Sequence, residues 1–238
     1  MTGPDRSGPD RTAELEQGLR AVQDRVRSGC QAAGRDPSGV TLVVVTKTFP
    51  PSDIRLLAGM GVVEIGESRD QEVVAKLPEC TDLDLRWHFI GRLQSNKSRS
   101  VARYAHLVHS VDRRSLATAL ARAAEQADRR VGCLLQVSLD GDLARGGVPI
   151  SQLAGLAEAV AAEPGLILRG LMAVAPLGVD PQAAFARLPE LSDRLVQDHP
   201  EAGIVSAGMS HDLEAALGCG ATHLRVGSAV LGHRPSLQ

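Results

Sequence analysis

The chain has 238 residues and very few aromatic side chains: one Trp, one Tyr and three Phe. Hydrophobic residues still make up 43% of it, so the core must be largely aliphatic. This composition argues against immunoglobulin-like sandwiches and against nucleic-acid modules that stack bases on rings. The formal net charge of −2 provides no global basic field for nucleic acid or an acidic membrane. The length fits one α/β barrel, or at most two small domains.

Cysteine usage and hydropathy indicate the compartment. The four cysteines are far apart and form no CxxC motif, so neither a disulfide framework nor a zinc ribbon is predicted. No apolar run approaches the roughly 20 residues that a membrane span needs. The N-terminus lacks the apolar stretch of a signal peptide. We therefore expect a cytoplasmic protein without a membrane partner.

The N-terminal segment is expected to be a disordered tail followed by one helix. Residues 1–11 contain the repeat Gly-Pro-Asp-Arg and no apolar cluster, which is typical of disorder. Thr12 is the expected cap of the helix, and Gly34 is near its expected end. Apolar side chains at helical spacing predict one buried stripe. We expect residues 12–238 to form a single domain.

From residue 40 onward, short β-branched runs alternate with amphipathic helical segments. Eight strands, each followed by a helix or the chain end, are typical of a (β/α)8 TIM barrel in the α/β class. A doubly wound sheet would usually have a glycine-rich turn after its first strand, and this chain has Thr46-Lys47-Thr48 there. The eight runs are Val40–Thr46, Val62–Ile65, Trp87–Ile90, Leu107–Val111, Val131–Leu139, Ile167–Val174, Ile204–Ala207 and His223–Val226.

Residues at the carboxyl ends of barrel strands carry the chemistry in this fold. Lys47 follows the first strand, and a partly desolvated lysine there could form a Schiff base with a sugar carbonyl or with pyridoxal phosphate. Most lysines at strand ends simply extend into water. The loops after the seventh and eighth strands contain Met209-Ser210 and Gly227-Ser228, which predict a phosphate cradle with Ser210 capping the next helix. An inward Arg225 could donate to a ring nitrogen and would keep it unprotonated.

Several blocks resemble the pyridoxal 5'-phosphate homeostasis protein family, which in turn resembles the N-terminal barrel of alanine racemase. The blocks lie in the same order along most of the chain. They include Val44–Thr48, Ile65–Glu72, Trp87–Lys97, His109–Asp112, Arg169–Ala173, Ser206–Asp212 and Arg225–Ser228.

The resemblance implies a fold-type III pyridoxal phosphate barrel with an extra N-terminal helix. It implies that Lys47 holds the cofactor as an internal aldimine, and that Arg225 faces the pyridine nitrogen. It places Ser210, Gly227 and Ser228 around the phosphate, with Met209 beside them. Ser68 stands where the family usually has Asn, so a contact to the cofactor ring or its 3-oxygen is in question. The implied role is intracellular storage, protection or delivery of the cofactor to apo-enzymes that depend on it, without substantial turnover.

Two enzymatic alternatives remain open at this point. A racemase of this fold needs an acid/base opposite the lysine, and the only tyrosine, Tyr104, precedes the fourth strand. A Schiff-base aldolase would use Lys47 and the phosphate cradle without pyridoxal phosphate. We expect a monomer without a metal site. His88 is interpreted as a core histidine, and the basic residues between Arg86 and Arg103 as a solvated helix face.

Overall fold

A computed structural model describes residues 9–232 of the chain. Eight parallel strands form a sheet that closes on itself, because β4 pairs with β5 and β8 pairs with β1. The predicted single (β/α)8 barrel is therefore confirmed. The barrel strands are β1 (Thr41–Val45), β2 (Glu64–Glu67), β3 (Arg86–Phe89), β4 (Ala105–Val111), β5 (Val131–Ser138), β6 (Leu166–Met172), β7 (Ile204–Ser206) and β8 (His223–Val226). A further two-residue strand, Val148–Pro149, pairs with the end of β5.

Ten α-helices lie among the described residues. They are α1 (Pro9–Ala32), α2 (Pro51–Gly59), α3 (Asp70–Lys76), α4 (Ser98–Tyr104), α5 (Arg114–Gln126), α6 (Leu153–Ala161), α7 (Pro181–Phe185), α8 (Leu188–Asp198), α9 (Leu213–Gly218) and α10 (Ser228–Leu231). The amphipathic pattern of residues 181–197 predicts one helix, and this prediction is wrong, because the chain forms α7 and α8 there. Pro189 lies in the first turn of α8, where its missing N–H costs no helical hydrogen bond.

The sheet register places the loop after β8, which belongs to the expected phosphate cradle, beside the end of β1. Val43 pairs with Arg225 and Val44 with Val226, so Gly227 comes level with Val45. A Cβ on residue 227 would lie 3.1 Å from the carbonyl oxygen of Val45. The glycine therefore allows a close approach of the two strand ends.

The N-terminal helix begins earlier than expected. The boundary between tail and helix at Thr12 is wrong, because α1 already includes Pro9, Asp10 and Arg11. The reason is tertiary: the buried Arg11 side chain forms an ion pair of 2.6 Å with Asp53 of α2 and donates to the carbonyl oxygen of Leu231. Residues 1–8 of the expected tail lie outside the described residues.

Helix α1 is a structural part of the barrel and packs on the side of the two cradle loops. Gly18 approaches α10 so closely that a Cβ there would lie 2.4 Å from the carbonyl oxygen of Val230. Leu15, Leu19 and Val22 of the expected stripe are buried. Burial of each such side chain contributes roughly 1.5–3 kcal/mol. Within residues 9–232, no helix combines the length and apolar character that a membrane crossing requires.

Candidate functional site

Lys47 lies two residues beyond the end of β1, at the mouth formed by the carboxyl ends of the strands. Its side chain is half-buried. The preceding Thr46 is buried and donates its backbone N–H to Gly66 of β2 over 3.0 Å. The following Thr48 has a φ of 69° and donates its N–H to a carboxylate oxygen of Glu72. Both neighbours thus hold the backbone that carries Lys47.

A second lysine, which the sequence analysis did not single out, lies beneath this turn. Lys76 is buried at the end of α3 and donates to Glu67 Oε1 over 2.6 Å and to the carbonyl oxygen of Thr46 over 3.0 Å. The Thr46 hydroxyl also donates to Glu67 Oε1, over 2.6 Å. Burial raises the pKa of Glu67, although the charge of Lys76 opposes this effect. This cluster supports the end of β1 from below.

The loops after β7 and β8 meet as the sequence predicts, but through different contacts. The hydroxyl of Ser228 donates to that of Ser210 over 3.1 Å, and the N–H of Ala229 donates to the same Ser210 oxygen over 3.3 Å. The prediction that Ser210 caps the next helix is wrong, because α9 begins at Leu213 and its flanking residue is Asp212. Ser210 instead bridges the two loops. The result is a cluster of hydroxyl and N–H groups at the mouth.

Helix α1 supports this cluster from outside the barrel. Arg25 donates to the carbonyl oxygen of Ser210 over 3.0 Å and forms two hydrogen bonds of 2.7 and 2.8 Å with Glu214. The hydrogen bond from Arg25 leads the effects that lower the pKa of Glu214. Sequence reasoning missed Arg25, because its partners lie more than 180 residues away in the chain.

The loop after β7 has little conformational freedom. Gly208 has a φ of 89°, and a Cβ there would lie 2.7 Å from that of Ala216. The N–H of the next residue, Met209, donates to Asp212 Oδ1 over 2.5 Å. The Met209 side chain is exposed. Glycine is therefore required at 208 to turn the loop toward the mouth.

Arg225 is buried and lies at the carboxyl ends of three neighbouring strands. It donates to the Ser206 hydroxyl over 2.6 Å and to the carbonyl oxygen of Ala173 over 2.9 Å. Burial lowers the pKa of Arg225 to about 10, and the charge of Asp212 opposes part of this effect. The guanidinium is therefore still charged at neutral pH. Its burial and these two partners show that Arg225 points into the barrel, not outward from the strand end.

Ser68 follows β2 and is half-buried. Its backbone packs against Gly91 at the end of β3 so tightly that a Cβ on residue 91 would lie 2.1 Å from the carbonyl oxygen of Ser68. This contact fixes the backbone of Ser68 at the strand ends. Whether its hydroxyl replaces the usual asparagine in a cofactor contact stays a prediction.

The basic residues between Arg86 and Arg103 do not form one helix face. Arg86 begins β3 and forms an ion pair of 2.6 Å with Glu64, whereas Arg99 and Arg103 lie on α4.

The phenol of Tyr104, also on α4, donates to Asp70 Oδ1 over 3.4 Å. Burial and the charge of Asp70 raise the pKa of Tyr104. A phenol held in this way is a poor candidate for a catalytic base at neutral pH.

The polar groups at the mouth fit a ligand with a carbonyl and a phosphate. Lys47 is an amine that can attack an aldehyde, and Ser210 and Ser228 offer hydroxyl donors and acceptors for a phosphate. Arg225 offers a charged donor that suits a ring nitrogen. The donor set is therefore consistent with pyridoxal phosphate. Fold and site together define a lysine-bearing parallel barrel of the alanine racemase type.

Comparison with known proteins agrees with this class and narrows it. The family model "Alanine racemase, N-terminal domain" matches residues 19–235. The "Pyridoxal phosphate homeostasis protein" of Mycobacterium bovis is 43% identical over 246 residues, which cover 95% of each chain. The protein of that name from Pseudomonas aeruginosa is 41% identical, covering 92% of this chain and 96% of its own.

A solved structure extends the similarity to three dimensions. PipY of Synechococcus elongatus, solved with pyridoxal phosphate bound, superposes with a TM-score of 0.80 at 35% identity. The match covers 92% of this chain and 100% of PipY. The chain belongs to the family of pyridoxal phosphate homeostasis proteins, as the sequence blocks indicated.

Proposed function

We propose that this protein binds pyridoxal phosphate covalently through Lys47 and serves intracellular homeostasis of the cofactor. The observation that carries the proposal is the meeting of Ser210 and Ser228, 3.1 Å apart, at the barrel mouth that also carries Lys47. The relatives named for this role and the cofactor-bound PipY support it. We expect this role to be storage, protection or delivery of the cofactor.

Each part of the site has one task in this proposal. Lys47 provides the amine that joins the cofactor aldehyde. The hydroxyls of Ser210 and Ser228, with the backbone around Gly227 and Met209, hold the phosphate. Arg225 donates to the pyridine nitrogen, and Ser68 lies on the ring side of the mouth. When bound, the cofactor would supply an electrophilic carbon and a conjugated ring.

The charge of Arg225 argues for holding the cofactor rather than for turnover. An arginine does not give up its proton at ordinary pH, so it cannot protonate the ring nitrogen facing it. A pyridine that stays unprotonated accepts electrons weakly, which disfavours carbanion chemistry. A binding role needs no carbanion chemistry and is therefore compatible with a buried arginine at this position.

The central test is the covalent link. The purified protein should gain a visible absorption band on addition of pyridoxal phosphate, and borohydride reduction should attach the cofactor to Lys47 in a peptide map. Lys47→Ala should lose the covalent link and keep non-covalent phosphate binding, whereas Lys97→Ala should behave like wild type. A protein that stays colourless with Lys47 unlabelled would contradict the proposal. Labelling by a sugar phosphate but not by pyridoxal phosphate would support an aldolase instead.

A racemase assay separates the second candidate. The homeostasis role predicts alanine racemisation well below roughly 1 per second, a low ordinary enzyme rate. Turnover above that rate would favour the racemase, which needs a second base that the hydrogen-bonded Tyr104 is poorly suited to supply.

The mouth also offers a surface for a recipient of the cofactor. Leu177 in the loop after β6 is 92% exposed. Val179 in the same loop and Met209 in the loop after the neighbouring strand β7 are also exposed. We infer that a dependent apo-enzyme contacts this apolar rim while the protein itself works as a cytoplasmic monomer. Leu177→Glu should slow cofactor transfer to an apo-enzyme without changing the cofactor dissociation constant. Sedimentation of the wild type checks the monomer.

A further inference from the structure

A continuous line of buried polar side chains crosses the barrel interior, from Arg225 near the mouth to Glu64 at the start of β2. Arg225 donates to Ser206 Oγ over 2.6 Å, and this hydroxyl lies 2.9 Å from His109 Nδ1. His109 Nε2 lies 2.9 Å from His88 Nδ1, and His88 Nε2 lies 2.6 Å from Glu64 Oε2. Ser206, His109 and His88 are buried, and Glu64 is 13% exposed.

The chemistry of the two ends gives this line one direction. Arginine only donates, so Ser206 accepts from Arg225. An ionised Glu64 only accepts, and with both histidines neutral this directs the hydroxyl hydrogen of Ser206 at His109 Nδ1. A neutral His109 then carries its proton on Nε2 and donates to His88. His88 in turn donates from Nε2 to the carboxylate of Glu64, which as an anion can only accept. Each group therefore donates one hydrogen bond toward Glu64, and both tautomers follow.

The electrostatic surroundings agree with a neutral His109 and an ionised Glu64. Burial lowers the pKa of His109 well below its ordinary value, and the charge of Arg225 adds to this effect. For Glu64, burial alone would raise the pKa, but the hydrogen bond from His88 and the charge of Arg86 lower it overall. The ion pair with Arg86 completes the far end of the line.

No metal explains these histidines. Among residues 9–232, no group of three or more His, Cys, Asp or Glu side chains is arranged to hold a metal ion. His106 lies beside His88, with ring centroids 6.1 Å apart, but it is exposed and is not one of the links.

We propose that Ser206, His109, His88 and Glu64 are positioning residues that hold the Arg225 guanidinium toward the cofactor ring. Only the last step of this proposal, the contact of Arg225 with the cofactor ring, rests on the function proposed above. Ser206 has one oxygen that accepts from Arg225 and one hydrogen to place. The line gives that hydrogen a fixed acceptor and so holds the hydroxyl oxygen toward Arg225. Glu64 thereby acts on the cofactor end of the barrel without touching it.

The far end offers a test that a merely structural role would not satisfy. Arg86 is a cation and should pair with the carbonyl oxygen of the new amide in Glu64→Gln, leaving the amide nitrogen to face His88. His88 Nε2 must then accept, so both histidines should move their proton from Nε2 to Nδ1. The hydroxyl hydrogen of Ser206 would lose its acceptor, and Arg225 would be held less firmly.

The experiment is nitrogen-15 NMR of the histidine rings and of the Arg225 guanidinium, on the full chain without cofactor at neutral pH. In wild type both histidines should be neutral with the proton on Nε2, and in Glu64→Gln both should carry it on Nδ1. Guanidinium hydrogen exchange at Arg225 should be at least tenfold faster in Ser206→Ala than in Ser110→Ala, and faster to a smaller degree in Glu64→Gln. Ser110 is the matched control, because it is also a buried strand serine. Glu190→Gln, which breaks an exposed ion pair with Arg194, is the control for loss of charge.

The outcomes separate this proposal from the function on which its last step rests. Three results would each overturn the proposed line of hydrogen bonds. They are a doubly protonated His109 in wild type, unchanged tautomers in Glu64→Gln, and equal Arg225 exchange in Ser206→Ala and Ser110→Ala. If wild type fails to bind pyridoxal phosphate, the proposed function fails, but the cofactor-free spectra still test the line of hydrogen bonds. With binding intact, Ser206→Ala should raise the dissociation constant about tenfold relative to Ser110→Ala. An equal constant would overturn the positioning role.

Discussion

Lys47 and Lys76 lie near the same backbone segment but in opposite environments. Lys47 is half-buried at the mouth, whereas Lys76 is buried below it and donates to Glu67 and to the carbonyl oxygen of Thr46. Lys47 lies at the mouth, where a ligand can reach it, whereas Lys76 is bound to groups of the barrel interior. The role of a lysine at this end of the barrel is therefore defined by its burial and its partners, and not by the residue type alone.

Removing the buried lysine should have the largest effect on stability. Lys76→Ala leaves Glu67 buried without its cationic partner, which should lower the free energy of unfolding by about 3–5 kcal/mol. Urea unfolding measures this loss. Lys97→Ala is the control, since that side chain is 37% exposed and only 3.9 Å from Asp70. A loss equal to that of the control would mean that the buried pair is not needed.

The buried histidines predict a loss of stability in acid. Burial lowers the pKa of His223 to about 4, whereas an unfolded histidine titrates near 6.5. Below 6.5 the unfolded chain binds more protons than the folded one, so the unfolding free energy falls as pH drops toward 4. This group should account for about 2–3 kcal/mol between pH 7 and pH 4.

Unfolding curves of wild type and His223→Gln at these two pH values isolate the contribution of His223. The variant should lose less stability over this interval than wild type. Parallel losses in the two proteins would show that His223 is not held neutral by the fold.

Weakening the outer support of the cradle should have a smaller effect. Arg25→Lys removes the paired hydrogen bonds to Glu214, which lie at the surface, so the unfolding free energy should fall by about 1 kcal/mol or less. Because Arg25 also holds the carbonyl of Ser210, we expect the dissociation constant for pyridoxal phosphate to rise about twofold to threefold. Arg20→Lys, in an exposed pair with Glu16 on the same helix, should leave that constant unchanged. An unchanged dissociation constant in Arg25→Lys would mean that α1 does not support the phosphate cradle.

The mouth lysine should matter least for stability. Lys47→Ala should change the unfolding free energy of the cofactor-free protein by about 0.5 kcal/mol, because the side chain is only half-buried. The same variant should lose all covalent cofactor labelling. A loss comparable to that of Lys76→Ala would show that both lysines are structural and would end the contrast between them.

Local sequence patterns were sufficient for the barrel and for the main parts of its mouth. Strand period and helix spacing depend on a few neighbouring residues, so the eight strands, Lys47 and the loops with Ser210 and Gly227-Ser228 could be located in advance. The start of α1 could not, because the helix is extended by the contact of Arg11 with Asp53, 42 residues away. Ser210 was expected to cap a helix for the same reason: local spacing does not reveal Ser228.

The sequence by itself determined which residue types reach the mouth, since in a closed parallel barrel every strand delivers its carboxyl end to one side. Only the tertiary structure decided their partners. Lys76 meets Glu67, and His88 and His109 join Ser206 to Glu64, because closure of the sheet brings strands from distant parts of the chain within hydrogen-bond distance. Periodicity in the sequence specifies only the face of its own helix or strand on which a side chain lies. A buried polar group obtains its acceptor or donor only when all the strands around it are in place.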